Sequence, residues 1–184
     1  MAAIVLGAIT QMSDKTPWLA AIFADRFRRP ALVVLAAVLA LSINYAIGVA
    51  AGRAVTALLT PEARLLLLAL ALVLAGVGTG FRIKRPDALE GWRTGAAFTS
   101  IAGLAIMAFG DRMQFIVAAL AGRSTLPWAA MVGAVLGASA VNVVAIALGE
   151  EAWLRLPLKG VRVAAAAILL VAGVVIGLNA LRLV

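Results

Sequence analysis

Six runs of almost uninterrupted apolar residues, at about 2–24, 31–51, 63–81, 95–121, 127–148 and 163–181, occupy most of this chain, with charged or proline-containing segments between them. Each is close to the ~20 residues an α-helix needs to cross a hydrocarbon core of about 30 Å. Inside a bilayer a spanning segment must satisfy its own peptide N–H and C=O groups, so the runs are expected as helices. A mean hydropathy of +1.11 and a hydrophobic share of 65% also make lipid the solvent. The expected fold class is all-α, a polytopic membrane protein of six transmembrane helices, with residues 1–184 as one membrane domain. The fourth run is long for the bilayer, about 40 Å at ~1.5 Å per residue, and should tilt or break near Gly110.

The formal charge of +8 is distributed in short clusters between the runs and not along one polar face, which argues against a nucleic-acid partner. It reads as a topology signal. The first, third and fifth connections hold ten basic residues, Arg26, Arg28, Arg29, Arg82, Lys84, Arg85, Arg93, Arg155, Lys159 and Arg162. The other side holds Arg53, Arg64, Arg123 and Arg182, and only Lys15 and Arg112 lie within runs. The positive-inside rule then puts both termini outside a bacterial-type inner membrane. Trp92, Trp128 and Trp153 fall at expected span ends, where an indole prefers to lie. The N-terminus lacks a basic leader and a cleavage region and is expected as part of the first helix.

The chain has neither Cys nor His, which removes disulfides, thiolate and imidazole metal ligands, thiol nucleophiles and histidine proton relays. A bound metal would have to be held by oxygen, which favours hard cations. No nucleophile, base and orienting group cluster in the sequence, so neither an enzyme nor a resident cofactor is expected.

Shifted by 97 residues, the chain aligns with itself at several special positions. Asp14-Lys15 meets Asp111-Arg112, Arg26 meets Arg123, Pro30 meets Pro127, and AGVGTG at 75–80 meets AGVVIG at 172–177. Asn44 and Asn142 correspond one residue out of step. The spacing implies two three-helix repeats, 1–85 and 94–184. Three spans per repeat is an odd number, so the repeats should be inverted in the membrane, an architecture of secondary transporters whose sites lie near the midplane. Gly76 with Gly80, and Gly173 with Gly177, have the four-residue spacing that lets helices approach closely. Asn44 and Asn142 suit either helix cross-linking or a polar pathway.

Gln11, Ser13, Asp14, Lys15 and Thr16 fall near the middle of the first run and are followed by Pro17, which cannot donate to the residue four before it. Gly110, Asp111, Arg112 and Gln114 are at the equivalent depth in the fourth. Each charge costs about 2.5 to 3.5 kcal/mol there on the insertion scale, and function is the default explanation. The structural alternative is a neutral clasp, each Asp pairing with its neighbouring base or with the base of the other repeat.

These motifs resemble those of the Gdt family of membrane cation exchangers, also called uncharacterised protein family sixteen, a relative of the lysine-exporter superfamily. The family carries E-x-G-D-K-[TS] in the first helix of each of two inverted three-helix halves. Here QMSDKT at 11–16 and AFGDRM at 108–113 stand in those places, and LAAIFADRFRRP follows the first. Both motif glutamates are replaced, by Gln11 and Ala108, so the family's net charge of minus two becomes zero. The resemblance implies a secondary transporter of Mn²⁺ or Ca²⁺ in exchange for protons, with Asp14, Asp111, Gln11, Thr16 and Gln114 around the ion. Lys15, Arg112, Ser13, Asn44 and Asn142 would support it. The partners implied are the bilayer, a metal cation and protons, in a chain that could be a homo- or hetero-oligomer. Two other readings stay open: a non-transporting subunit or regulator with a relic site, and a lysine-exporter-like route for a small solute.

The charge bias is testable by single-cysteine labelling on the naturally cysteine-free chain. A cysteine beside Lys84 should be silent to an impermeant thiol reagent in intact cells and react once the membrane is opened. Labelling from outside would reverse the topology.

Overall fold

The computed structural model describes residues 1–81 and 83–183; Arg82, one of the ten basic residues above, and Val184 lie outside them. The chain forms α1 (Ala2–Met12), α2 (Thr16–Phe27), α3 (Pro30–Thr56), α4 (Pro61–Gly80), α5 (Ala96–Ala108), α6 (Arg112–Ala121), α7 (Pro127–Arg155) and α8 (Leu158–Ala180), with no strand among the described residues. Proline stands in the first turn of α2, α3, α4 and α7, where its missing N–H would have no intrahelical partner. Thr60 also caps α4, its hydroxyl accepting from Ala63 N at 3.3 Å.

Four helices, α3, α4, α7 and α8, are long and apolar enough to cross a membrane. A fifth span results if α5 and α6, bent by 70° across a short break, are taken together. That break is at Phe109–Asp111, within the overlong fourth run. α1 and α2 are separated in the same way by Ser13–Lys15. With 11 and 12 residues they reach only about 16 and 18 Å, too short to cross alone. α7 continues beyond its apolar run through Gly149, whose φ of 74° belongs to the left-handed region that glycine enters without cost. The Asp25 carboxylate accepts the Glu150 N–H at 2.7 Å and so caps the stretch that follows. Trp153, expected at a span end, is buried there against Ala21, Val141 and Ala145.

α4 packs on α8, and α3 packs on α7. α1 and α2 pack on α7, while α5 and α6 pack on α3. Each broken helix thus leans on the long helix of the other half. Tyr45, Leu41 and Val49 of α3 meet Ile116 and Val117 of α6 in one buried cluster, and Phe23 and Leu19 of α2 meet Leu104 of α5 in another. Leu35, Leu70, Leu74 and Val171 point outward, as lipid permits.

At one end Arg26 donates to the carbonyls of Ala88 and Leu89, and Arg85 forms a two-pronged ion pair with Glu150 at 3.0 and 3.1 Å. The first, third and fifth connections therefore gather on one side. Thr56 touches Gly122 at the other end, beside the second and fourth connections.

Of the four spaced glycines, Gly76 and Gly173 form the α4–α8 crossing. A Cβ on Gly173 would lie 2.9 Å from Val73 N and Ala69 O, and one on Gly76 3.0 Å from Leu170 N. Gly177 would make only an ordinary contact and Gly80 none. Thermal unfolding in detergent should therefore show Gly173→Leu destabilised by about 1 to 3 kcal/mol or more, with Gly80→Ala close to the unaltered protein.

Candidate cation site

Two breaks in apolar helices create the polar centre. At the first, α1 ends and Ser13 leaves the helix with φ −111° and ψ 18°. Pro17 has no N–H to return to the Ser13 carbonyl, so that oxygen is left for another donor. Thr16 donates from its hydroxyl to Asp14 Oδ2 at 2.7 Å and holds the carboxylate in place.

At the second break Gly110 turns the chain with φ 73°, and Asp111 caps α6. Asp111 Oδ1 accepts from Gln114 N at 2.6 Å, and Gln114 Oε1 accepts from Gly110 N at 2.7 Å. The exchange resembles a capping box and satisfies backbone donors that lipid would leave bare. Gln114 Nε2 then donates to the Asn44 carbonyl at 2.9 Å, and Asn44 Nδ2 donates to Ala40 O and to Ala105 O of α5 at 3.1 Å. Asn44 and Gln114 thus fasten both arms of the broken helix to α3. Asn142 bonds only within its own helix, to Ala138 O, and its Oδ1 has no partner among the described residues.

The strongest link between the breaks is Arg112. One Nη2 donates to Ser13 O at 2.6 Å and to Asp14 Oδ1 at 3.3 Å, while Nη1 donates to Thr79 Oγ1 of α4 at 2.9 Å. The ion pair therefore joins the two halves of the chain. Asp111 differs: Oδ2 accepts the Tyr45 hydroxyl at 3.3 Å, and among the described residues no cation pairs with it. Lys15 is exposed.

Asp14, Lys15, Asp111 and Arg112 line one cleft of about 420 Å³, together with Gly78, Phe81 and Ile83 at the end of α4 and beyond. Gln11, Thr16 and Gln114 do not line it. Gln11 is fully buried with Nε2 unpartnered, Thr16 lies beneath Asp14, and Gln114 serves the α6 cap. Two side chains outside the expected set, Thr79 and Tyr45, complete the polar centre. Thr79 sits among the glycines of AGVGTG, and Tyr45, the chain's single tyrosine, follows Asn44. A hydroxyl in an apolar run was the available signal for both.

Among the described residues no group of three or more Asp, Glu, His or Cys side chains forms a metal cage. The cleft instead has two carboxylates, two cations and several neutral oxygens. The profile of the family described as "Divalent cation/proton antiporter GDT1" matches residues 1–86 and 96–183. The chain belongs to that family. As a GDT1 member it is a membrane antiporter of a divalent cation and protons. It is similar to a "Putative manganese exporter" of Vibrio cholerae, 27% identical over 161 residues, covering 84% of this chain and 78% of the relative. No solved structure matches.

The unequal pairing of the two carboxylates should appear in stability. Asp14→Asn strands the Arg112 guanidinium and is expected to cost up to about 3 kcal/mol. Asp111→Asn removes no ion pair and keeps a side chain that caps well, so its loss should be smaller. Thermal unfolding of both purified variants checks the order.

Proposed function

We propose that this GDT1 member exports Mn²⁺ across the bacterial inner membrane in exchange for protons, with Asp14 and Asp111 as the alternating acceptors. The observation that carries the reading is that both carboxylates, each on a helix break, line a single cleft. A carboxylate holds either a metal ion or a proton. Sharing the same oxygens between the two makes their movements exclusive, which is the physical basis of exchange. Two carboxylates do not fill the six or so positions of a hard cation, so water and neutral oxygens such as the Ser13 carbonyl would complete the shell. The resemblance of the sequence to a relative described as a manganese exporter supports Mn²⁺ over Ca²⁺ and export over uptake.

In this proposal α1 with α2 and α5 with α6 are each one broken span. The protein then has six spans, in repeats 1–85 and 94–184 inverted about an axis in the membrane plane. The packing supports the scheme, because exchanging the halves sends α1 and α2 on α7 into α5 and α6 on α3, and returns α3 on α7 and α4 on α8 to themselves. Unwound backbone at the centre of paired inverted repeats is where transporters hold their substrates. The cleft includes Phe81 and Ile83, next to the basic third connection. With that connection cytoplasmic, the cleft faces the cytoplasm, the side from which an exporter loads.

Proteoliposomes with an internal pH dye test the reading. Imposed Mn²⁺ gradients should drive proton movement, and Asp111→Asn should reduce it to the level of empty vesicles while the variant remains inserted. Wild-type flux from Asp111→Asn would remove the carboxylate from the mechanism. Absence of Mn²⁺ and Ca²⁺ flux from the unaltered protein would favour a non-transporting subunit, the role a neutralised Asp14–Arg112 pair would suit.

A further inference from the structure

Arg112 is more than the partner of Asp14. Its three contacts, a carboxylate oxygen, a backbone carbonyl and a hydroxyl oxygen, are the ligand types that a hard divalent cation selects. Its side chain is also shared between two cavities. The polar cleft lies toward the C-terminal end of α4 and the third connection. A second, apolar cavity of about 460 Å³ lies between α3, α4 and α6, lined by Val55, Leu70, Leu74, Phe115 and Ala119. Those residues follow the C-terminal end of α3, the middle of α4 and the length of α6, and Val55, Leu70, Leu74 and Phe115 are exposed on the lipid-facing surface. Among the described residues only Gly110 and Arg112 line both.

We infer that Arg112 is a tethered cation that occupies oxygen atoms a divalent ion would otherwise take, so that the ion must displace it to bind. The inference rests on the reading of the cleft as the cation site. Displacement by a doubly charged ion is electrostatically reasonable, because Asp14 and the Ser13 carbonyl would exchange one positive charge for two. The same event severs the links from Arg112 to Ser13, Asp14 and Thr79, and so releases the contact between the halves. Loading would then be coupled to opening through one side chain.

A purely structural Arg112 and a competing Arg112 predict opposite signs. Mn²⁺ binding to the full-length protein in nanodiscs, read as loss of the free-ion paramagnetic resonance signal, should tighten roughly tenfold or more in Arg112→Gln, because a positive charge has left the ligand set. Arg112→Lys retains the charge and should stay near the unaltered protein. A second readout needs no change at Arg112. Ala119→Cys, buried in the apolar cavity, should react faster with a thiol reagent at saturating Mn²⁺ than without it. Equal or weaker binding by Arg112→Gln, or labelling of Ala119→Cys unchanged by bound Mn²⁺, overturns the inference. Asp111→Asn separates the two levels. If it binds Mn²⁺ as the unaltered protein does, the cleft reading fails and takes this inference with it. If it loses Mn²⁺ while Arg112→Gln gains nothing, only the inference falls.

Discussion

A guanidinium carried into hydrocarbon has to find oxygen, and Arg112 finds it on the other half of the chain. The Arg112 side chain is only 20% exposed, and the penalty for leaving a buried charge bare is several times the net value of an ordinary hydrogen bond. The contacts to Ser13, Asp14 and Thr79 therefore determine how closely the two helix breaks and α4 must approach. Much of the surrounding packing follows from holding that geometry. Gly76 and Gly173 let α4 lie against α8, and Asn44 and Gln114 tie the second break to α3.

The breaks themselves show how irregular backbone is tolerated inside a membrane. Two of the backbone groups freed at the breaks take side-chain partners. Pro17 leaves the Ser13 carbonyl unpaired and Arg112 takes it; Gly110 interrupts the fourth run and Gln114 takes its N–H. A break built this way presents polar atoms to the cleft while the apolar faces of α1, α2, α5 and α6 remain packed. Polar backbone, carboxylates and a cleft are the parts that a cation/proton exchanger needs, and they occur together only where the helices stop.

The two halves are not equivalent, although their sequences align. Asp14 has an arginine from the other half, whereas Asp111 has a tyrosine hydroxyl and its own helix N-terminus. Part of the asymmetry is readable in the chain: Lys15 and Arg112 differ in reach and in the number of donors, and the planar fork of Arg112 spans oxygens of the first break and of α4. In the proposed exchange the two settings would give the carboxylates different roles, Asp111 open to the incoming ion and Asp14 held in competition. That division is absent from the aligned motifs, where both positions are written as Asp followed by a base.

The helical apolar runs and the interruptions at Ser13–Lys15 and Phe109–Asp111 were legible in the amino-acid order, because lipid imposes length, composition and backbone satisfaction on every span locally. Gly110 and Pro17 announced the interruptions for the same reason. Which of the two possible bases each Asp would take was not legible. Neighbouring Asp and Lys or Arg side chains look like pairs on paper, yet Arg112 passes over Asp111 to reach Asp14, 98 positions away. Likewise Gln11 and Gln114 share the spacing of cleft-facing residues, but burial takes the first and helix capping the second. Thr79 and Tyr45 enter the polar centre only because α4 and α3 both pack against α6. Local chemistry decided where polar groups must sit in the bilayer, and only the long-range packing of the helices decided which of them meet.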